Sequence, residues 1–149
     1  PPPALNGSTD TTYIGVGAHD AHMTGGRYTV ATECSECHIV PANVSDPGHI
    51  DGDGIAEVTF GPLASEGGSN PVWNRGLPDP TCTGVYCHGA TLAGGTLTEP
   101  IWTRVDGSQV YCGSCHSTPP RPGHPDRLDC ATCHSFSLET HIDGETTWP

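Results

Sequence analysis

Residues 112–134 read CGSCHSTPPRPGHPDRLDCATCH, two cysteine pairs of identical spacing, each closed by a histidine directly after its second cysteine. The same closure occurs twice upstream. It is found in Cys34-Ser-Glu-Cys37-His38 and, with four residues between the cysteines, in Cys82-Thr-Gly-Val-Tyr-Cys87-His88. These four pairs use all eight cysteines of the 149-residue chain. The rest of the sequence is poor in the residues that build an ordinary interior. Gly (20) and Pro (15) make up nearly a quarter of the chain, and only 34% of it is hydrophobic. A globular domain of this length normally carries roughly 45–50% apolar residues, Gly included. Crosslinks, metals or a covalent cofactor must therefore replace part of the core.

Three of the pairs fit C-x-x-C-H, the attachment motif of c-type haem, and one has the looser C-x-x-x-x-C-H spacing. Two thiols about one helical turn apart can each form a thioether with a vinyl group of one porphyrin, and the adjacent histidine then supplies a nitrogen to the iron. On this reading Cys34, Cys37, Cys82, Cys87, Cys112, Cys115, Cys130 and Cys133 hold four haem c groups, with His38, His88, His116 and His134 as proximal ligands. In the longer motif the two extra residues are expected to bulge outward. Two other readings stay open on spacing alone. Eight cysteines suit four disulfides in a small secreted domain, and Cys112-x-x-Cys115 lies 14 residues before Cys130-x-x-Cys133, close to a zinc-ribbon interval. Neither requires a histidine after the second cysteine. With histidine at about 6% of the chain, four such coincidences have a chance on the order of one in 10⁵.

Four six-coordinate haems need four further donors, and five histidines remain: His19, His22, His49, His124 and His141. His49 and His141 each open an H-I-D-G tetrapeptide downstream of a Cys-x-x-Cys-His motif, an internal echo that marks them as equivalent ligands. In both, the Asp is placed to accept from the imidazole N–H that faces away from iron. His124 stands just upstream of Cys130, as His22 stands upstream of Cys34. His19 and His22 are three apart, so on a helix they share a face and can serve two neighbouring haems. The echo favours His22 as a ligand and leaves His19 as the spare. Met23, the single methionine, is read as packing.

The formal charge is −12, Lys is absent and the five basic residues are all Arg, which excludes a nucleic-acid partner. Eight propionates and four ferric centres would take the chain to roughly −16 oxidised and −20 reduced, so the propionates are expected to be paired with the few arginines or with metal ions. The most apolar stretch, Ile55 to Phe60, is six residues and includes Glu57, so no membrane span is expected. Starting at Pro1 without Met, the chain reads as a mature secreted protein whose signal has been removed. Asp51-Gly-Asp53-Gly suggests a weak Ca²⁺ loop, and Asn6 and Asn43 head glycosylation sequons. The expected architecture is a single domain, mostly coil with few short helices and short strands, wrapped around a haem stack instead of an apolar core. It divides into an extended arm (1–18, with a short strand near Tyr13 to Val16), a first haem module (19–60, ending in a strand over Ile55 to Phe60), a loop or linker (61–81), a three-haem module (82–144) and a tail (145–149).

The stretch from Cys82 to Gly144, with Pro100-Ile-Trp102, Pro119-Pro120, His124-Pro125 and His141-x-Asp-Gly between and after its motifs, resembles the C-x-x-x-x-C-H/C-x-x-C-H multihaem cytochromes exported by metal-reducing bacteria. His19-x-x-His22, Cys34-x-x-Cys37-His38 and His49-x-Asp-Gly are similar to modules of the same proteins, so the resemblance covers residues 19–144. Tetrahaem cytochromes of similar size are subunits of extracellular filaments. The resemblance implies extracellular electron transfer as a homopolymer, between upstream cytochromes and an extracellular acceptor. A soluble tetrahaem shuttle is the alternative. A multihaem reductase is disfavoured, because the open or Lys-ligated iron it needs is at odds with the absence of Lys and the surplus of His. The trio of tryptophans is expected against porphyrin edges.

Overall fold

In the computed structural model the described residues are 3–26, 28–43, 45–47, 52–119, 123–129, 132–133 and 141–142. Frequent Gly and Pro keep regular elements short. They comprise one helix, α1 (His19–Thr24), two strands, β1 (Val72–Asn74) and β2 (Thr81–Thr83), and 3-10 turns at Cys34–Glu36, Glu66–Gly68 and Tyr86–His88. The rest of the described chain is coil and turn, as the composition implies. No helix among the described residues is long and apolar enough to cross a membrane.

β1 and β2 pair antiparallel, with Trp73 opposite Cys82. An isolated bridge from Thr81 to Ile101 and a second from Gly94 to His116 carry the chain onward to the third cysteine motif. There Thr96 N donates to the Gly113 carbonyl at 3.1 Å and Leu97 N to that of Ser114 at 2.9 Å, while Ser114 itself is buried. The apolar core is small: among the described residues Val16, Ala64 and Val85 are its buried hydrophobic members, and Pro80 is also fully buried.

Four local expectations are corrected. The N-terminal segment is not an extended arm with a strand near Tyr13. Val16 N and Gly17 N both turn back to the Tyr13 carbonyl at 2.9 Å, which buries Val16, and the Ile14 carbonyl accepts from Trp102 Nε1 at 2.7 Å. Ile55 to Phe60 forms no strand, because its polar backbone is claimed singly from elsewhere. The Ala56 carbonyl accepts from Arg75 at 3.3 Å, that of Glu57 from His38 Nδ1 at 2.6 Å, and Thr59 N donates to the Cys37 carbonyl at 3.0 Å. The stretch 61–81 is more than a linker, since it holds β1 and begins β2. Finally, the residues between Cys82 and Cys87 do not loop out to solvent. Val85 is only 6% exposed, and Tyr86 N donates to the Ala64 carbonyl at 2.9 Å.

Candidate haem centres

α1 has six residues and no side-chain N-cap, too little to stand as a helix in isolation. Its histidines help to close it. His19 Nδ1 donates to the Val16 carbonyl and His22 Nδ1 to that of Ala18, both at 2.8 Å. Each imidazole is thereby turned so that Nε2 is the nitrogen left for a metal. His38 uses Nδ1 in the same way toward Glu57, and His116 Nδ1 donates to the Ser117 carbonyl at 2.8 Å.

These side chains come together in pairs. Ring centres are 6.2 Å apart for His19 and His38, 6.2 Å for His22 and His88, and 6.1 Å for His116 and His141. An imidazole–iron–imidazole axis requires about 6 Å, namely two metal–nitrogen bonds of about 2 Å and about 1 Å from each nitrogen to its ring centre. Each pair joins the histidine of a cysteine motif to one of the five surplus histidines, and the spacing fits a haem iron between them. Among the described residues no group of three or more His, Cys, Asp or Glu is placed to hold a metal ion. Among the described residues the histidine donors meet in twos.

The cysteines agree. Among the described residues, Cys34, Cys37, Cys82, Cys87, Cys112, Cys115 and Cys133 are not joined in disulfides. Burial, with Cys37 nearby as the smaller cause, pushes Cys82 up to about 12, and burial pushes Cys87 to about 11. Burial, reinforced by His22, holds the His88 imidazole down to about 4, so it is neutral, the form that ligates. Its Nδ1 is buried without a hydrogen-bond partner among the described residues, as is Trp73 Nε1.

The three sites lie in succession. α1 carries the partners of both His38 and His88. Gly89, at φ +87°, passes so close to the Cys115 carbonyl that a Cβ would overlap it, which sets the second motif against the third. The sequence-based preference for His19 as the spare ligand finds no counterpart in this geometry, since His19 stands opposite His38 as His22 stands opposite His88. His124 Nδ1 donates to the Pro125 carbonyl at 2.7 Å. His49, Cys130 and His134 lie outside the described residues, as do Asp51 and Asp143 of the two H-I-D-G echoes. Asp53, from the proposed Ca²⁺ loop, accepts from Ile55 N at 2.7 Å in a local turn. Two contributors escaped the sequence reading. Glu36, inside the first motif, accepts from Leu63 N at 3.0 Å and Ala64 N at 3.2 Å. Gln109 holds Ile101 through both its main-chain groups, at 2.7 and 2.9 Å.

The family model described as the Geobacter CxxxxCH...CXXCH motif matches residues 81–116, which span Cys82, Cys87-His88, Cys112 and Cys115-His116. The match supports a multihaem c-type cytochrome-like protein, with covalently bound haem c at these motifs and a role in electron transfer. No curated protein and no solved structure matches the chain.

Proposed function

We propose that the chain binds four haem c groups, each through two cysteines and two histidines, and transfers electrons as the repeating subunit of an extracellular cytochrome filament. The observation that carries the electron-transfer reading is the recurrence of one histidine spacing, 6.1–6.2 Å, at three separate motifs. His38 pairs with His19, His88 with His22 and His116 with His141. His134 is then left to His49 or His124, and one of these two is the spare.

Haem iron, when bound, supplies one-electron exchange between its ferric and ferrous states. The polypeptide's part is to close and orient the sites. Two neutral imidazoles per site leave no open position for a substrate, which sets this chain apart from multihaem reductases. Carbonyls of Val16, Ala18, Glu57 and Ser117 fix ring rotation through Nδ1. α1 and Gly89 keep successive sites adjacent. The filament part is supported by the resemblance of residues 19–144 to exported multihaem cytochromes, and by apolar side chains left on the surface, including Leu5, Ile39, Val40, Leu77 and Leu128.

Intact mass of the purified holoprotein should show four increments of roughly 0.6 kDa each. Carbon monoxide should leave the spectrum of the reduced protein unchanged, and binding at one haem would overturn the closed-site reading. Electron microscopy of surface material released by shear should show filaments. Monodisperse particles of roughly 18 kDa, the chain with four haems, would instead make the protein a soluble shuttle.

A further inference from the structure

Trp102 stands against both histidines of α1. Its ring centre lies 4.9 Å from that of His19, at 87°, and 5.6 Å from that of His22, at 33°. The indole is held from several directions. Nε1 donates to the Ile14 carbonyl, 88 residues away in sequence, at 2.7 Å, and the main-chain N of Trp102 donates to the Pro80 carbonyl, also at 2.7 Å. Trp73 meets it edge-on, with ring centres 6.1 Å apart at 79°. On a further side is Gly17, at φ +41°, where a Cβ would overlap indole atoms Nε1, Cε2 and Cδ1. A side chain fixed in this way transmits its position to whatever leans on it.

We propose that Trp102 is a positioning residue that sets the orientation of the His19 and His22 imidazoles together, so that one indole tunes the ligand geometry of two adjacent irons. This rests on the reading of His19 and His22 as axial ligands. Each imidazole already has one fixed point, the Nδ1 bond to a carbonyl, which still permits the ring to swing about that bond. Contact with the indole removes this freedom. The ring contacts of Trp102 are with His19, His22 and Trp73, and the His116 and His141 pair serves as the internal control.

The test uses the ferric holoprotein, its low-spin electron paramagnetic resonance signals, and four variants. His19→Ala and His22→Ala should each open one different haem to carbon monoxide in the reduced state, which assigns the two sites. Trp102→Phe keeps a ring but loses the bond to Ile14, and should shift the two assigned signals while leaving the others in place, with the haem count unchanged. Gly17→Ala displaces the indole without removing it and should shift the same two signals, so the proposal stays testable if one variant folds poorly. If His19→Ala and His22→Ala each open a haem, yet both other variants leave every signal at its original position, the proposal is overturned and the ligand reading survives. A uniform shift of all signals also overturns it, because that marks a general structural change. If neither histidine variant opens a haem, the ligand reading fails and the proposal with it.

Discussion

On the proposed reading, the sites around His38 and His88 perform the same ligation in different surroundings. At His38 the cysteines are two residues apart on a single 3-10 turn, Cys34 is exposed, and both facing imidazoles donate Nδ1 to carbonyls. At His88 the longer motif starts on β2 and ends on the turn Tyr86–His88, carries buried Val85 between its cysteines, and leaves His88 Nδ1 buried without a partner among the described residues. The short motif is satisfied by main-chain polar groups from a passing loop. The long motif is built into the two-stranded sheet and the small apolar core. The two added residues of the C-x-x-x-x-C-H spacing thus do structural work, joining one haem attachment to the rest of the fold.

The largest expected effect follows from that asymmetry. Replacing Cys82 and Cys87 together by Ser should abolish the cooperative melt along with one haem, since Cys82 lies on β2 and the buried Val85 lies between the two cysteines. The Cys34→Ser, Cys37→Ser variant should lose one haem and still melt cooperatively. Intact mass and the thermal transition measure both, and equal losses of cooperativity would dissolve the comparison. Next is Val85→Ala, expected to cost about 2 kcal/mol for a buried branched side chain. Ile39→Ala, beside the short motif and 65% exposed, should change stability by less than about 0.5 kcal/mol. A pair of chemical melts decides this, and a large effect at Ile39 would mean that the surface there is covered.

The motif residues were legible in the sequence because haem attachment is a local pattern: two thiols and a histidine within five to seven positions. The mostly coiled fold was legible from the Gly and Pro content for the same reason. What could not be read depends on partners far along the chain. Ile55 to Phe60 alternates like a strand, but its carbonyls at Ala56 and Glu57 are taken by Arg75 and His38. Val72–Asn74 sits in a composition typical of linkers and becomes β1 only because Thr81–Thr83 returns beside it. Trp102 was legible as a packing residue, but its bond to Ile14 and its place between His19 and His22 were not. Counting donors for four six-coordinate haems left one histidine over. Sequence echo then picked His19, whereas the helix gives His19 and His22 a partner each.

The hydrogen bonds of the two sites predict a third, smaller difference. A donated Nδ1–H makes imidazole a stronger ligand for ferric iron. Three of the four imidazoles in the first two sites donate in this way, and His88 is the exception. Its burial adds to the effect, because a low-dielectric surrounding disfavours the more highly charged ferric state. The haem between His22 and His88 should therefore be the easier to reduce, by about tenfold in the one-electron equilibrium, or about 60 mV. A potentiometric titration followed at signals assigned with His19→Ala and His22→Ala measures the order. Equal or inverted potentials would show that these hydrogen bonds do not govern the difference.

The smallest effect asks whether the two regions are energetically separate. Glu36 belongs to the short motif, yet its carboxylate accepts from Leu63 N and Ala64 N, and the Ala64 carbonyl accepts in turn from Tyr86 N within the long motif. Glu36 is thus the polar link by which the peripheral site holds the segment that leads into the core. Glu36→Ala should cost about 1 kcal/mol through these bonds. Introduced into Val85→Ala, it should cost less, because the segment it anchors has already lost its packing. A double-mutant cycle read from chemical melts gives the coupling. Additivity within about 0.3–0.5 kcal/mol would make the two sites independent modules that happen to share a chain. A larger coupling would show that the short motif, for all its exposure, is anchored through one carboxylate to the same core as the long one.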